Sequence, residues 1–374
     1  MPAPVPTAEQ ITAALSHAME PTLGESVVFL DLVNDLVIDG GTVRIQVLEP
    51  IPGAASEALG EAVRQAVRGV EGVDAVEVKV SPMPDDRRVA LATRLRGTAP
   101  TVAGGQPVIP FAQMDSDTKV LAIASGKGGV GKSSITANLA VALARQGHRV
   151  GVLDADIWGY SIPRMLGVQG SPVPFGNMVV PLQGHGCKVI SIGFFVDTER
   201  PVIWRGPMLH RALQQFLADV YWGQLDFLLC DLPPGTGDVA ISLAQMLPNA
   251  DMLVVTTPQQ AAQRVALRAG QVTAQTGMRV AGVIENMAVF IAPDTGTAYH
   301  IFGEGGGELL AKELDTELLG SIPIDLRLRE GSDDGVPLVI SDPEAPASKV
   351  LEEIARGLTT RKTSMVGRSL PLMG

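Results

Sequence analysis

Val120-Leu121-Ala122-Ile123-Ala124-Ser125-Gly126-Lys127-Gly128-Gly129-Val130-Gly131-Lys132-Ser133-Ser134 passes from an apolar run through a glycine-rich loop to a pair of serines. Val120 to Ser125 is an almost unbroken apolar run, which suits a strand buried on both faces. Gly126 to Lys132 is a glycine-rich loop, and a helical pattern starts at Ser133. Strand, glycine loop and helix form the context that a phosphate-binding loop requires. Glycines let the backbone curl so that its N–H groups face phosphate oxygens, and the helix N-terminus adds a positive dipole end. The segment Gly126, Lys127, Gly128, Gly129, Val130, Gly131, Lys132, Ser133 and Ser134 is therefore expected to cradle ATP. Lys132 is expected on the β- and γ-phosphates and the Ser133 hydroxyl on Mg²⁺. Lys127 lies too near the phosphates to be an idle charge. An extra cation there serves the γ-phosphate as charge shifts in the transition state.

Two further apolar runs end in carboxylates. Val150 to Leu153 leads into Asp154-Ala155-Asp156, and Leu225 to Cys230 leads into Asp231. Ligands of open α/β sheets gather at the C-terminal ends of strands. Asp231 reads as the carboxylate delivered toward Mg²⁺, Asp154 as the holder of a magnesium-bound water, and Asp156 as the residue that orients the attacking water. Pro233-Pro234-Gly235-Thr236-Gly237-Asp238 makes a stiff loop suited to switching with the γ-phosphate. Asn286 closes another strand-to-loop junction, where its amide is suited to reading the adenine edge.

Outward from these motifs the chain separates into a small α/β domain over residues 1–98, a linker over 99–117, the nucleotide domain over 118–360 and a tail over 361–374. In the first part, Gln10 to Met19 and Ser56 to Val70 carry helical spacing, while Thr42 to Leu48 and Ala75 to Val80 alternate as strands. In the nucleotide domain, apolar runs alternate with helical patterns: Val120 to Ala124, Ile135 to Arg145, Val150 to Leu153, Leu225 to Cys230, Met252 to Thr256 and Val280 to Ile284. That order predicts a doubly wound, mostly parallel sheet. The totals agree, with 374 residues, 46% hydrophobic and only 4% aromatic, so the core rests on aliphatic side chains. The net charge of −11 opposes nucleic acid and anionic lipid as partners. No signal peptide, no span of about 18 apolar residues and no disulfide framework are visible, so a cytoplasmic protein is expected.

Taken together, Ser125 to Ser134 (SGKGGVGKSS), Trp204 to His210 (WRGPMLH), Asp231 to Asp238 (DLPPGTGD), Glu285-Asn286-Met287 and Ile301 to Gly307 (IFGEGGG) resemble the Mrp/ApbC iron–sulfur carrier ATPases within the MinD/ParA-like P-loop class. The first 98 residues resemble the small iron–sulfur-assembly-associated domain that precedes the ATPase in many bacterial members. The resemblance implies a homodimer whose Lys127 reaches across to the partner's nucleotide. It also implies ATP hydrolysis and transfer of a 4Fe–4S cluster to apoproteins, with apoprotein clients or iron–sulfur assembly proteins as partners. In many members a C-x-x-C pair after the ENM segment holds the cluster between subunits.

This sequence departs from that pattern, having Ala292 and Thr295 where the family's two cysteines usually stand. The first domain likewise has Pro52-Gly53-Ala54-Ala55 where relatives often carry a cysteine after a proline. The two cysteines present, Cys187 and Cys230, both read as small core residues at strands. Asp294 and His300 lie near the missing pair, but carboxylate and imidazole suit iron–sulfur clusters less well than thiolate, and His300 reads as a plain loop residue. An alternative function is therefore a ParA/MinD-like regulatory or scaffold switch without bound cluster. Arg205, beside Gly206-Pro207, is placed to touch phosphate or a partner, or equally to sit solvated or salt-bridged, and Met208 reads as the core face of a helix. The tail lacks the wide apolar helical face that membrane tethering needs.

Overall fold

The computed structural model describes residues 5–96, 108–113, 115–156, 159–195, 206–235, 238–259 and 278–361. The chain divides into two compact units, Met1–Ala99 with Val173–Val180, and Pro100–Pro172 with Pro181–Gly374.

The first unit begins with α1 (Ala8–Leu15), capped by the Thr7 side chain on the Gln10 N–H and by Gln10 reaching back. Three strands follow, β1 (Val33–Asp39), β2 (Thr42–Glu49) and β3 (Ala75–Pro82), ordered β1-β2-β3. β1 and β2 are antiparallel, and β2 and β3 are parallel across the crossover helix α2 (Ser56–Arg68). A further helix, α3, spans Asp85–Arg96. The expected inward faces hold: Val43, Ile45 and Val47 on β2, and Leu59, Val63 and Val67 on α2, are buried. β1 and α3 were not predicted. β1 mixes Asn34, Asp35, Leu36 and Val37 without clean alternation, and α3 has almost no one-sided apolar stripe. The predicted Gln10-to-Met19 helix ends early, because Met19 pairs with Ser26 as a β-bridge.

The second unit is built on β4 (Lys119–Ser125), α4 (Lys132–Arg145) and β5 (Val150–Asp154). After β5 comes a short helix, α5 (Ile162–Met165), then a hairpin of β6 (Val173–Phe175) and β7 (Met178–Val180) that groups with the first unit. Next are β8 (Leu182–Gly184), β9 (Cys187–Ser191), α6 (Gly206–Ala218), β10 (Phe227–Asp231), α7 (Asp238–Met246), β11 (Asp251–Thr256), β12 (Arg279–Ile291), β13 (Ala298–Tyr299) and β14 (Leu318–Ile324). Among the described residues the sheet has nine strands in the order β13-β12-β11-β4-β10-β5-β9-β8, with β14 on β12. All neighbours are parallel except β8 on β9 and β13 on β12. The fold is thus a doubly wound, mostly parallel α/β sheet.

Chain direction explains the winding. The β4-to-β5 step moves toward β9, whereas β10-to-β11 moves the other way. Right-handed crossovers then put α4 and α7 on opposite faces. α4 is buried along most of its length, from Ile135 to Leu143, because Ala137, Ala140 and Ala142 let it lie close between the sheet and the helix Pro346–Thr360. That last helix contributes Ala347, Leu351, Ile354, Ala355 and Leu358 to the same core. Among the described residues no helix is long and apolar enough to cross a membrane. Of the linker, Pro110–Ala112 forms a 3₁₀ turn whose Phe111 packs edge-on against Trp222. Trp204, Arg205, Thr236, Gly237 and the tail beyond Arg361 lie outside the described residues.

One defect in the first unit is chemical. Glu20 is buried, and its Oε2 accepts the Thr22 and Leu23 N–H groups, but its Oε1 has no hydrogen-bond partner. Burial pushes its carboxyl pKa up, and the nearby Glu49 charge adds to the rise. A carboxyl raised in the fold contributes stability fully below its unfolded pKa and loses it as pH climbs through the folded value. Glu20→Gln is therefore expected to stabilise the protein by roughly 1 kcal/mol at neutral pH, with the gain vanishing below the ordinary glutamate range. Denaturant unfolding of both proteins across acid and neutral pH checks this, and a gain that grows on acidification would contradict it.

Candidate functional site

Parallel strands bring their C-terminal ends to one edge of the sheet. The loops after β4, β5, β10 and β11, and the ENM segment of β12, meet there. The glycine loop leaves β4 at Ser125, whose hydroxyl donates to the Lys127 carbonyl at 3.1 Å. Gly129 and Gly131 hold positive φ, +78° and +83°, which side chains resist. Gly131 also has no room for a Cβ, which would stand 2.2 Å from Asn286 Nδ2. At Gly128 and Gly129 an added Cβ would meet nothing within 4 Å, because the loop there opens onto a cavity of about 240 Å³. Lys127, Gly128 to Ser134, Asp156, Gly159, Ser161, Met165 and Pro234 line that cavity.

α4 begins at Lys132 and turns the two hydroxylated residues Ser133 and Thr136 toward β10. Lys132 is buried, with Nζ 2.7 Å from Asp231 Oδ2 and 3.2 Å from Ser133 Oγ. Ser133 donates to the same Oδ2 at 2.6 Å, and Thr136 to Oδ1 at 2.7 Å. Asp231 is wholly buried and fully partnered, and its loop is docked by the Gly235 N–H on the Ser125 carbonyl at 2.8 Å.

Asp154 is the register partner of Asp231 on the adjacent strand. Its Oδ1 accepts the Asp156 N–H, and its Oδ2 accepts the Ser191 hydroxyl and the Ile162 N–H. Burial pushes its carboxyl pKa well up, and the Asp231 charge beside it pushes further. Asp154 therefore shapes the loop that carries Asp156. Asp156 itself faces the cavity and accepts the Gly159 N–H at 3.1 Å. Lys127 extends to the end of β11, with Nζ 3.3 Å from Gln259 Oε1.

Asn286 is buried behind the loop and spends its amide nitrogen on the Val130 carbonyl at 2.8 Å, bracing the glycine turn. The tertiary fold, not the strand end alone, decided that placement. Glu285, next to it, accepts the Gly307 N–H and the Ser321 hydroxyl, so it too holds loops together. Sequence reasoning missed Thr136, Ser191 and Gln259. The spacing of Lys132 and Thr136 by one helical turn was a signal for the first, and no local signal marks the other two.

The expected cluster region carries no thiol. Ala292 and Thr295 lie in the tight turn from β12 to β13, with Gly296 N–H on the Ala292 carbonyl and Ala292 N–H on the Thr297 carbonyl. His300 is an exposed side chain beside Glu304, 3.3 Å away. Met208 is 47% exposed, so it does not join the core as expected; Leu213, Phe216 and Leu217 form the inward face of α6. Cys187 on β9 and Cys230 on β10 are buried, with β5 between them and Cys230 three residues further along the strands, which sets them about 14 Å apart. Burial pushes the Cys187 thiol up to about 12 and the Cys230 thiol further. Among the described residues no group of three or more His, Cys, Asp or Glu side chains is placed to hold a metal ion. A larger groove of about 710 Å³ opens around Arg279 and Lys312, at the start of β12 and so at the opposite edge of the sheet.

A glycine loop on a strand-to-helix turn, a buried lysine on a strand-end aspartate and a parallel sheet define a P-loop NTPase. The chain belongs to the NUBPL iron-transfer P-loop NTPase family, which matches residues 117–359, and an iron–sulfur cluster assembly protein domain matches residues 8–80. It is 50% identical over 370 residues to an iron–sulfur cluster carrier protein of Mycobacterium tuberculosis, covering 97% of this chain and 96% of that one. It is 42% identical over 358 residues to the iron–sulfur cluster carrier protein of Synechocystis, covering 94% and 96%. A nucleotide-binding protein from Archaeoglobus fulgidus in complex with ADP is 38% identical with a TM-score of 0.52, over 60% of this chain and 92% of that one. The septum site-determining protein MinD of Pyrococcus horikoshii, complexed with Mg-ADP, is 25% identical with a TM-score of 0.51, over 65% and 96%.

The buried thiols give a direct test. Both are expected to stay unreactive toward a chromogenic disulfide reagent in the native protein at mildly alkaline pH, and both to react in denaturant. Rapid modification of the folded protein would contradict their placement.

Proposed function

We propose that this chain is an ATP-hydrolysing homodimer that acts in iron–sulfur cluster delivery, with nucleotide as the switch. The observation that carries the reading is that Lys132, Ser133 and Asp156 line one cavity under the glycine loop, with Asp231 bonded to Lys132 and Ser133 directly behind it. The donor set fits a magnesium-bound triphosphate. Backbone N–H groups of Gly128 to Ser133 and the Lys132 ammonium would hold the phosphates, while Ser133 and Asp231 would hold Mg²⁺. When bound, Mg²⁺ neutralises charge on the phosphate oxygens. Asp154 stiffens the loop that presents Asp156, and Asp156 orients the attacking water. Lys127 adds a cation for the γ-phosphate across a subunit interface. Alternation between bound and free states then biases two shapes of the dimer, one competent to receive and one to release.

The cluster is cargo, and the described residues do not fit it as a ligand set. Two buried thiols on separated strands and the Ala292/Thr295 turn favour a second reading, in which clusters ride on thiolates of apoprotein clients or assembly proteins while this chain supplies the switch. The relatives named as cluster carriers support the same cellular task.

Two measurements test these readings. Lys132→Ala is expected to lower ATP turnover by at least about 100-fold, and turnover at the parental rate would overturn the ATPase assignment. Anaerobic reconstitution of the pure chain with iron and sulfide is expected to leave no stable cluster. Stoichiometric iron and sulfide with a visible absorption band would restore direct carriage by this chain.

A further inference from the structure

The Lys127 ammonium is held inside its own chain. Its backbone is clamped by the Ser125 hydroxyl on its carbonyl, and its Nζ sits 3.3 Å from Gln259 Oε1. The same Oε1 accepts the Thr257 hydroxyl at 2.9 Å. Thr257 is 2% exposed and directly follows β11, which runs parallel to β4 with Val255 in register with Ser125. The sheet therefore sets the end of β11 beside the first turn of the glycine loop. Gln259 is oriented from below by a buried hydroxyl and presents one carbonyl oxygen to Lys127.

We infer that Gln259 is a positioning residue for Lys127: a neutral acceptor that parks the ammonium at the rim of the phosphate cavity and gives it up to phosphate. This rests on the proposed role of Lys127 at a γ-phosphate. The choice of an amide matters. A carbonyl oxygen without net charge orients an ammonium, but an anionic phosphate binds that ammonium more strongly. A carboxylate at the same place would compete with phosphate on equal terms. An apolar side chain would leave a four-carbon stem unrestrained and its rotamer entropy to be lost at each turnover.

The experiment compares steady-state ATP turnover of the full chain with Gln259→Glu, Gln259→Leu and Lys127→Ala. Gln259→Glu is expected to lower kcat about tenfold with KM for ATP changed less than about twofold, because the parked lysine acts at the transition state and not in binding. The defect should shrink as ionic strength rises, since salt screens a partly exposed ion pair; a simple packing fault would not respond in that way. Gln259→Leu should lower kcat more mildly and show no salt rescue. A Gln259→Glu protein with parental kcat, or one whose loss ignores salt, overturns the inference while Lys127→Ala remains inactive. A fully active Lys127→Ala protein instead overturns the underlying role of Lys127, so the two failures are told apart.

Discussion

The buried pair of Lys132 and Asp231 is the contact on which the rest of the site depends. It joins the first turn of α4 to the end of β10, and Ser133 and Thr136 complete the carboxylate's shell. A buried ion pair is costly to assemble, since both charges leave water. Here the cost is offset because every strong partner is supplied by one helix turn, already placed by the glycine loop. Removal of either charge would leave the other buried and alone, a loss of roughly 3–5 kcal/mol. This pair keeps the helix N-terminus, the glycine loop and the neighbouring strand in one arrangement.

Around that contact the structure places two kinds of polar residue. Lys127, Asp156 and the loop glycines face the cavity. Asp154, Asn286 and Glu285 face inward and hold loops: Asp154 through Ser191 and the Ile162 N–H, Asn286 through the Val130 carbonyl, Glu285 through Gly307 and Ser321. Burial raises the pKa of Asp154 and the Asp231 charge beside it adds to the rise, while the loop-holding hydrogen bonds from Asp156 and Ser191 oppose it. Two carboxylates in register on adjacent strands thus take different tasks, set by what surrounds each one.

The cysteines follow the same logic from the opposite side. Cys230 is wholly buried within β10 between β4 and β5, and Cys187 opens β9 in the core under the helix layer. Neither lines the cavity under the glycine loop. The turn from β12 to β13 closes on Ala292 and Thr297 by backbone hydrogen bonds alone. The glycine loop of an iron-transfer P-loop NTPase is thus kept in a chain whose described residues place no thiol beside it.

The features legible along the chain were local or periodic. The glycine loop needs contiguous residues, the buried strands announce themselves as apolar runs, and Lys132, Ser133 and Asp231 are legible because each sits at a strand-to-loop or loop-to-helix junction of known chemistry. The inward faces of β2 and α2 were legible for the same reason, since their periods of two and of one helical turn are properties of short segments. The pairings between distant residues came instead from the way the strands are ordered. Asn286 braces a loop 156 residues before it, and Gln259 meets a lysine 132 residues before it. β1 and α3 take their form from the neighbours they pack on and not from a pattern of their own. No local rule carries such contacts, because strand order brings those residues together, and strand order is settled by how the whole set of apolar faces can be buried at once.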